Sequence, residues 1–230
     1  MDWVGWHAAY DDPESGLSAR LKLVEQHVTG ALDRAPAGPI RLLSLCAGQG
    51  RDVIETLADH PRRADVSAVL VETDPVNVAW ARDAASVAGL AEGGTGNGER
   101  TGRGAAATGQ ARVEVRQADA SRPAGYADAV PSDVLLLCGI FGNVSVTDIE
   151  RTIAAAPALC TPGATVIWTR HQRPPDLTPR IRGWFTAAGF EELAFGSPAS
   201  APRTGVGAGV LRDAGGAVLP EGPLFRFGSG

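Results

Sequence analysis

The strongest constraint on the fold is a short apolar run that breaks into a glycine turn and then into a helical pattern. The run Ile40–Leu45 is typical of a buried parallel strand. Gly48 and Gly50 permit a tight turn, and a helix is predicted to begin near Asp52. Such a turn lets a ligand approach the backbone closely, and the helix start offers free N–H groups. The alternative is a plain strand-to-helix turn without a ligand.

Strand-like and helical patterns alternate along most of the chain. Strands are predicted at 39–45, 66–72, 112–117, 133–138 and 164–169, and helices at 51–59, 75–89, 122–129, 147–156 and 179–188. Asp74-Pro75 and Thr178-Pro179 are each predicted to be an N-cap followed by a first-turn proline, and Gly189 is a typical helix end. This alternation predicts a doubly wound α/β fold with a parallel sheet. Residues 190–195, 206–211 and 224–227 are candidates for antiparallel edge strands.

Composition excludes several classes of protein. A length of 230 residues and a hydrophobic content of 44% predict a single domain, 1–230. The net charge of -5 argues against a nucleic-acid partner, and Lys22 is the only lysine, which disfavours Schiff-base chemistry. Cys46, Cys138 and Cys160 lack metal-site spacing and are expected to be reduced thiols, with no metal bound. Without a membrane span or signal peptide, we expect a cytoplasmic protein that does not bind membranes.

Two segments interrupt the regular pattern. Trp3, Trp6, His7 and Tyr10 crowd the start of the chain ahead of a helical stretch, and residues 1–35 are predicted to form an N-terminal helical lid. Packing of these aromatics on the sheet edge is the alternative. Residues 93–110 are rich in glycine without hydrophobic periodicity, and a flexible insertion is predicted there.

Acidic residues follow the next two strands. Glu72 ends the second strand, 22 residues after Gly50, where a carboxylate can accept hydrogen bonds from ribose hydroxyls. Asp74 is more simply explained as an N-cap because it precedes Pro75. Asp119 follows the third strand, where it is placed to accept from the exocyclic amine of adenine, although a turn or capping role is the alternative.

Over residues 39 to 195 the chain resembles the class I S-adenosylmethionine-dependent methyltransferases. The resemblance implies a Rossmann-like, mostly parallel seven-stranded sheet with an antiparallel C-terminal edge, and S-adenosylmethionine as the cofactor. Glu72 matches the family's ribose acid, and Asp119 and Ala120 match its adenine site. The implied cofactor-binding residues are Tyr10, Arg20, Cys46, Ala47, Gly48, Gln49, Gly50, Glu72, Thr73, Asp119, Ala120, Cys138 and Gly139.

Two positions depart from the family pattern. Ser44 stands where an acid is common, and Cys46 stands where the first glycine is common. Both departures concern the methionine end of the cofactor. Tyr10 or Arg20 is a candidate to compensate by pairing with the carboxylate of that end, since arginine suits planar bidentate recognition.

The segment Gly139-Ile-Phe-Gly-Asn143, after the fourth strand, is expected to border the reactive methyl group. Phe141 is a candidate wall for the acceptor, and Asn143 is a candidate to orient it; a capping role for Asn143 is equally open. His171, after the fifth strand, is the candidate catalytic base. The alternatives are an ordinary surface loop, or catalysis by alignment alone without a base.

The leading hypothesis is methyl transfer to the oxygen or nitrogen of a small molecule, with release of S-adenosylhomocysteine. Phe141 and Trp168 suggest an aromatic acceptor, and the arginines beside His171 suggest an acidic one. An NAD(P)-dependent oxidoreductase is the alternative, although Val53 occupies the third glycine position of the dinucleotide fingerprint. A non-catalytic nucleoside-binding regulatory protein is a further alternative, and assembly into a homo-oligomer is left open.

Overall fold

A single seven-stranded sheet forms the centre of the computed structural model, which describes residues 10–12, 14–90 and 111–228. Its order is β3-β2-β1-β4-β5-β7-β6. The strands are β1 (Ile40–Leu45), β2 (Val66–Glu72), β3 (Arg112–Gln117), β4 (Ser132–Leu137), β5 (Cys160–His171), β6 (Phe190–Gly196) and β7 (Thr204–Leu211). Strands β1 to β5 are parallel to one another, whereas β7 runs antiparallel to both β5 and β6. The predicted mostly parallel sheet with an antiparallel C-terminal edge is confirmed.

Helices cover both faces of this sheet. They are α1 (Gly16–Arg34), α2 (Arg51–Asp59), α3 (Pro75–Val87), α4 (Val146–Ala155) and α5 (Thr178–Ala187). Leu21, Val24 and Val28 on α1 are buried, and one apolar cluster joins α1, α2 and α3 to their face of the sheet. A second cluster joins α4 and α5 to the other face. This doubly wound arrangement buries both faces, so the central strands read as nearly continuous apolar runs.

Strand β1 pairs with β2 on one side and with β4 on the other. The order in which the chain adds strands to the sheet therefore reverses at β1. A crevice opens at such a switch point, beyond the carboxyl ends of the two strands, because the following helices lie on opposite faces. The glycine turn after β1 lies at this crevice. The loops that follow β2, β3, β4 and β5 end at the same edge, because all five strands are parallel.

Local chemistry explains the helix starts, with one correction. The Asp74 carboxylate accepts hydrogen bonds from the N–H groups of Val76 and Asn77, so the predicted N-cap of α3 is confirmed. The predicted N-cap at Thr178 is wrong, since α5 begins at Thr178 itself. The Asp176 carboxylate instead accepts from the Thr178 N–H at 2.9 Å and fixes the turn before the helix.

The predicted helix over 122–129 is also wrong. Two short 3-10 helices, Pro123–Gly125 and Ala127–Ala129, flank Tyr126, whose φ of -146° is incompatible with a continuous α-helix. The Tyr126 ring is fully buried, and its hydroxyl donates to the Ala120 carbonyl at 3.0 Å. A tertiary anchor therefore overrides the local helical pattern.

The candidate edge strand over 224–227 does not form. Only an isolated antiparallel bridge joins Val144 and Phe227. Leu224 and Phe225 instead bury their side chains in the core beside α4 and α5. The apolar character of this segment therefore reflects burial in the core and not a strand.

Other expectations concern residues outside the described part of the chain. Trp3, Trp6 and His7, and the predicted insertion at 93–110, all lie there. The described part of the N-terminal region contributes α1, which packs against α2 and the sheet. The lid over residues 1–35 and the single domain stay predictions. No helix within the described residues is long and apolar enough to span a membrane.

Candidate active site

The turn between β1 and α2 requires glycine at its last position. Gly48 and Gly50 have φ values of 57° and 66°, in the left-handed region. A Cβ placed on Gly50 would lie 2.6 Å from Leu70 Cδ1, a distance that real side chains do not tolerate. Cys46 also has a positive φ of 57°, which is unusual for a residue with a side chain. The turn is therefore held in one tight shape by both conformation and packing.

Glu72 ties the end of β2 to this turn. One carboxylate oxygen accepts from the Gly48 N–H at 2.8 Å, and the other accepts from the Thr73 and Asp74 N–H groups, each at 2.8 Å. Its side chain is buried, with 8% exposure. A carboxylate offers about four lone-pair positions, so three backbone donors leave room for a further hydrogen bond. The predicted ribose acid and the glycine turn thus form a single preorganised cradle.

Asp119 lies at the edge of the same cradle but is held more loosely. One carboxylate oxygen accepts from the Ser121 N–H at 2.9 Å, and the side chain is 55% exposed. The adjoining Ala120 is buried. Burial raises the pKa of the Cys46 thiol far above its usual range, and the nearby charges of Glu72 and Asp119 raise that pKa further. The structure therefore brings Cys46, Glu72 and Asp119 together, as predicted for the nucleoside side of a cofactor.

Arg51 covers the helix start that follows the turn. Its Nε donates to Gln49 Oε1 at 2.8 Å, and its Nη1 pairs with Asp11 at 2.8 Å. The guanidinium lies 5.6 Å from the ring centroid of Tyr10 and 4.4 Å from that of Trp80, in cation–π geometry. Residues from the N-terminal region are thereby joined to the turn. Sequence reasoning had missed Arg51.

A second polar cluster lies on the β4 side of the turn. An Arg20 N–H donates to the Tyr10 hydroxyl. Asp52, in the first turn of α2, interacts electrostatically with Arg20, and the Cys138 thiol after β4 interacts with both charges. Burial raises the pKa of Asp52 to about 6 and also raises the pKa of Tyr10 above its usual value. The structure thus joins the predicted Tyr10, Arg20 and Cys138 to Asp52, which sequence analysis used only to mark a helix start.

Thr169 links the ends of β4 and β5. Its hydroxyl accepts from the Gly139 N–H at 3.0 Å and is within hydrogen-bonding reach of the Cys138 thiol. Gly139 adopts a positive φ of 79°, so this loop begins with a backbone conformation that favours glycine. Thr169 carries no signal in the sequence beyond its position at a strand end.

Asn143 closes the loop that begins at Gly139. Its side-chain amide donates to the Gly139 carbonyl at 2.7 Å, and its backbone N–H donates to the Ile140 carbonyl at 2.9 Å. These contacts support the turn-capping interpretation of Asn143. The side chain is exposed, and orientation of an acceptor stays a prediction.

His171 is the last residue of β5 and lies against the same loop. A Cβ placed on Gly142 would be 3.6 Å from its Cδ2, so the two predicted catalytic residues, Asn143 and His171, occupy neighbouring positions. Burial lowers the pKa of His171, and the charges of Arg170 and Arg173 lower it further. The neutral ring is therefore favoured at pH 7. Its Nδ1 accepts weakly from the Arg173 N–H at 3.3 Å, which places the ring proton on Nε2.

Phe141 and Trp168 do not form a wall of the acceptor site, contrary to the expectation from sequence. Their side chains are 0% and 3% exposed, and their ring centroids are 6.3 Å apart in a core that includes Phe185. The buried Arg170 donates a hydrogen bond to the Phe141 carbonyl and thus supports the loop from beneath. These aromatic rings give no support for an aromatic acceptor.

In residues 10–12, 14–90 and 111–228, no three or more His, Cys, Asp or Glu side chains are grouped so as to hold a metal ion. The polar groups at the sheet edge instead suit a nucleoside with charged ends.

No protein-family model and no curated protein matches the chain. Solved structures do match. An O-methyltransferase family protein from Burkholderia thailandensis is 17% identical, with a TM-score of 0.63, and the match covers 90% of this chain and 59% of that one. The chain thus spans well under two thirds of that relative.

Two further structures match over more of their own length. The 1,6-didemethyltoxoflavin-N1-methyltransferase of Burkholderia thailandensis, solved with bound 1,6-didemethyltoxoflavin and S-adenosylhomocysteine, is 16% identical with a TM-score of 0.59, covering 92% of this chain and 87% of that one. Magnesium protoporphyrin IX methyltransferase from Synechocystis PCC 6803, solved with S-adenosylmethionine, is 10% identical with a TM-score of 0.59, covering 84% and 80%. This chain therefore has the Rossmann-like fold of class I S-adenosylmethionine-dependent methyltransferases, as the sequence resemblance implied.

Proposed function

We propose that the protein transfers a methyl group from S-adenosylmethionine to an oxygen or nitrogen of a small molecule and releases S-adenosylhomocysteine. The observation that carries this proposal is the joining of Glu72 to the glycine turn through the Gly48 N–H. A buried carboxylate held in place by three backbone donors is suited to accept hydrogen bonds from ribose hydroxyls beside the turn. S-adenosylmethionine supplies an electrophilic methyl group on its sulfonium.

The remaining groups at the crevice fit the other parts of this cofactor. Asp119 is exposed enough to accept from the adenine amine, next to the buried Ala120. Arg20 and Tyr10 lie on the opposite side of the turn, toward the methionine end. Cys46, Ala47, Gln49, Thr73, Cys138 and Gly139 complete the proposed binding set along the carboxyl ends of β1, β2 and β4.

The acceptor is proposed to lie over the loop from Gly139 to Asn143, next to His171. A neutral imidazole is able to remove a proton from an acceptor hydroxyl or amine. In this tautomer the unprotonated nitrogen is Nδ1, which accepts from the Arg173 N–H, so His171 takes a proton from the acceptor only when that weak contact opens. The positive charges of Arg170 and Arg173 nearby favour an acidic acceptor.

The oxidoreductase alternative is disfavoured by the sheet. A dinucleotide-binding sheet has the order 3-2-1-4-5-6, whereas here the antiparallel β7 is inserted between β5 and β6. A regulatory protein that binds the nucleoside without turnover has the same cradle, so only measured turnover distinguishes it from an enzyme.

Calorimetric titration with S-adenosylmethionine, S-adenosylhomocysteine and NAD tests the cofactor first. We expect the first two to bind and NAD not to bind. Turnover is then measured as S-adenosylhomocysteine released with a panel of hydroxyl- and amine-bearing acceptors. Each acceptor is tested both with and without a carboxylate group. Binding of NAD alone would refute the proposal, and cofactor binding without turnover on any acceptor would support the regulatory alternative.

His171 has its own test once an acceptor is found. Replacement His171→Ala is expected to lower kcat by about 100-fold, the usual contribution of a general base. Because burial and the neighbouring arginines hold the His171 pKa below its usual value, the wild-type rate should fall only on the acid side of that usual value. The variant Arg173→Gln should move this acid limb to higher pH, since it removes a charge that lowers the pKa. If His171→Ala leaves kcat unchanged and Arg173→Gln leaves the pH dependence of the rate unchanged, alignment alone drives the reaction.

A further inference from the structure

The amino-acid end of S-adenosylmethionine is a zwitterion, and a site that selects it needs a group of each charge. On the nucleoside side, Glu72 and Asp119 are already assigned to the ribose and the adenine amine, and Arg122 pairs with Asp119 Oδ2 at 3.3 Å. Ser44, at a position where an acid is common in similar proteins, is neutral and 1% exposed within β1. A binding group for the ammonium must therefore come from elsewhere, if the proposed function is correct.

Two cysteine thiols lie at the crevice, and the charged groups that act on each of them differ. Cys46, after β1, interacts with the charges of Glu72 and Asp119, which belong to the β2 and β3 side. Cys138, after β4, interacts instead with Asp52 and Arg20. The turn thus separates two polar clusters, one beside each neighbour of β1. A ligand that crosses the turn with its nucleoside over Glu72 directs its other end toward Asp52 and Arg20.

Tyr10 joins Arg20 to the helix start that carries Asp52: its hydroxyl accepts from Arg20, and its ring centroid lies 5.6 Å from the guanidinium of Arg51, the residue before Asp52. Asp52 Oδ1 accepts from the Val53 N–H at 2.9 Å, and the positive charge of Arg20 favours ionisation. Desolvation and the negative charge of Glu25 oppose it, and their sum raises the pKa. Glu25 Oε1 is itself buried and has no hydrogen-bond partner among the described residues, although Glu25 Oε2 pairs with Lys22 at 3.0 Å. This cluster would be stabilised by an added cation.

We propose that Asp52 and Arg20 together bind the zwitterionic amino-acid end of the cofactor. The Asp52 carboxylate accepts from the ligand ammonium, and the Arg20 guanidinium donates to the ligand carboxylate. Arg20 has five N–H donors in a fixed fork, so the contact with the Tyr10 hydroxyl is compatible with a second, bidentate contact. Asp52 is thereby assigned a binding role that compensates for the neutral Ser44.

The test compares two ligands that share the nucleoside but differ at this end. S-adenosylhomocysteine carries the amino-acid end, and 5′-methylthioadenosine lacks it. Calorimetry is run on wild type, Asp52→Asn and Arg20→Gln, with Asp59→Asn as the matched control, an exposed acid at the other end of α2. We expect each of the first two variants to weaken S-adenosylhomocysteine about tenfold or more, as for a lost charged hydrogen bond, and to leave 5′-methylthioadenosine within about twofold.

Two readouts separate binding from a structural role. The Tm of unliganded Asp52→Asn should equal or exceed that of wild type, since the substitution removes a poorly solvated charge. Lowering the pH from about 7.5 to about 5 should weaken S-adenosylhomocysteine in wild type but much less in Asp52→Asn, because protonation of Asp52 near pH 6 removes the acceptor charge. The groups that face Asp52 are Arg20, Glu25, Tyr10 and Cys138.

The outcomes are distinguishable. Equal losses for both ligands would mean that Asp52 shapes the turn and does not bind the amino-acid end. No loss for either ligand would refute the clamp while leaving the proposed cofactor site in place. Failure of wild type to bind either ligand would refute the proposed function and the clamp together. If the Tm of Asp52→Asn falls, that variant is structurally damaged, and the proposal is then tested by Arg20→Gln with the same two ligands.

Discussion

The two halves of the crevice are built differently. On the proposed nucleoside side, the Glu72 carboxylate at the end of β2 accepts from the Gly48 N–H of the turn and from the N–H of Thr73, and Gly50 has no room for a side chain. On the proposed acceptor side, contacts from Asn143, Thr169 and Arg170 hold the loop from Gly139 to Asn143, but Gly142 has ordinary space beside it. A rigid half that accepts one common ligand and a more permissive half that accepts a particular substrate are expected to respond differently to mutation.

The largest difference in thermal stability is expected between alanine substitutions at two glycines, one in each half. Gly50→Ala forces a left-handed conformation at about 1–2 kcal/mol and a clash with Leu70 at about 1–3 kcal/mol. For a chain of 230 residues this lowers the Tm by roughly 5–15 °C. Gly142→Ala meets His171 only at ordinary contact distance and should leave the Tm nearly unchanged. Thermal unfolding of both variants measures the difference, and similar losses at the two positions would contradict the comparison.

Glu72→Gln is the second test of the rigid half. In the wild type these backbone N–H groups donate to a carboxylate. The glutamine amide of the variant would turn its own N–H groups toward some of them, and it carries no negative charge. Loss of charged hydrogen bonds should weaken S-adenosylhomocysteine by about 2 kcal/mol, or roughly 30-fold, with a lower Tm. Asp74→Asn is the control, because asparagine caps α3 equally well and should change neither quantity. Equal weakening by the control would identify Asp74 as the ribose acid.

A smaller effect is expected for Asp119→Asn. Its side chain is 55% exposed and hydrated, so the substitution should cost about 1 kcal/mol, or about fivefold in affinity, without a change in Tm. Inosine in place of adenosine in the ligand provides the matching chemical test, because it lacks the exocyclic amine. The loss on Asp119→Asn should be smaller for the inosine analogue than for the adenosine ligand.

Among the features visible in sequence, the positions of the five parallel strands were predicted well, and Glu72 lies beside the glycine turn as expected. The run Ile40–Leu45, the glycine turn and Glu72 lie within single segments, where periodicity and spacing carry the information. Capping of α3 by Asp74 was predicted for the same reason, since donors and acceptor are neighbours in the chain. The errors at Tyr126 and Phe141 arose from burial in a core that joins segments distant in the chain, whereas the error at Thr178 was local.

The sequence by itself determined the doubly wound sheet, its antiparallel edge and the acids at the strand ends, because these follow from local hydrophobic period and from the direction of parallel strands. Only the tertiary structure decided that Arg20, from a helix ahead of the sheet, meets Asp52 beside Cys138, and that His171 lies against Gly142. Those pairs join segments distant in the chain, and their burial, which moves the pKa of Asp52 and His171, exists only once the layers have packed.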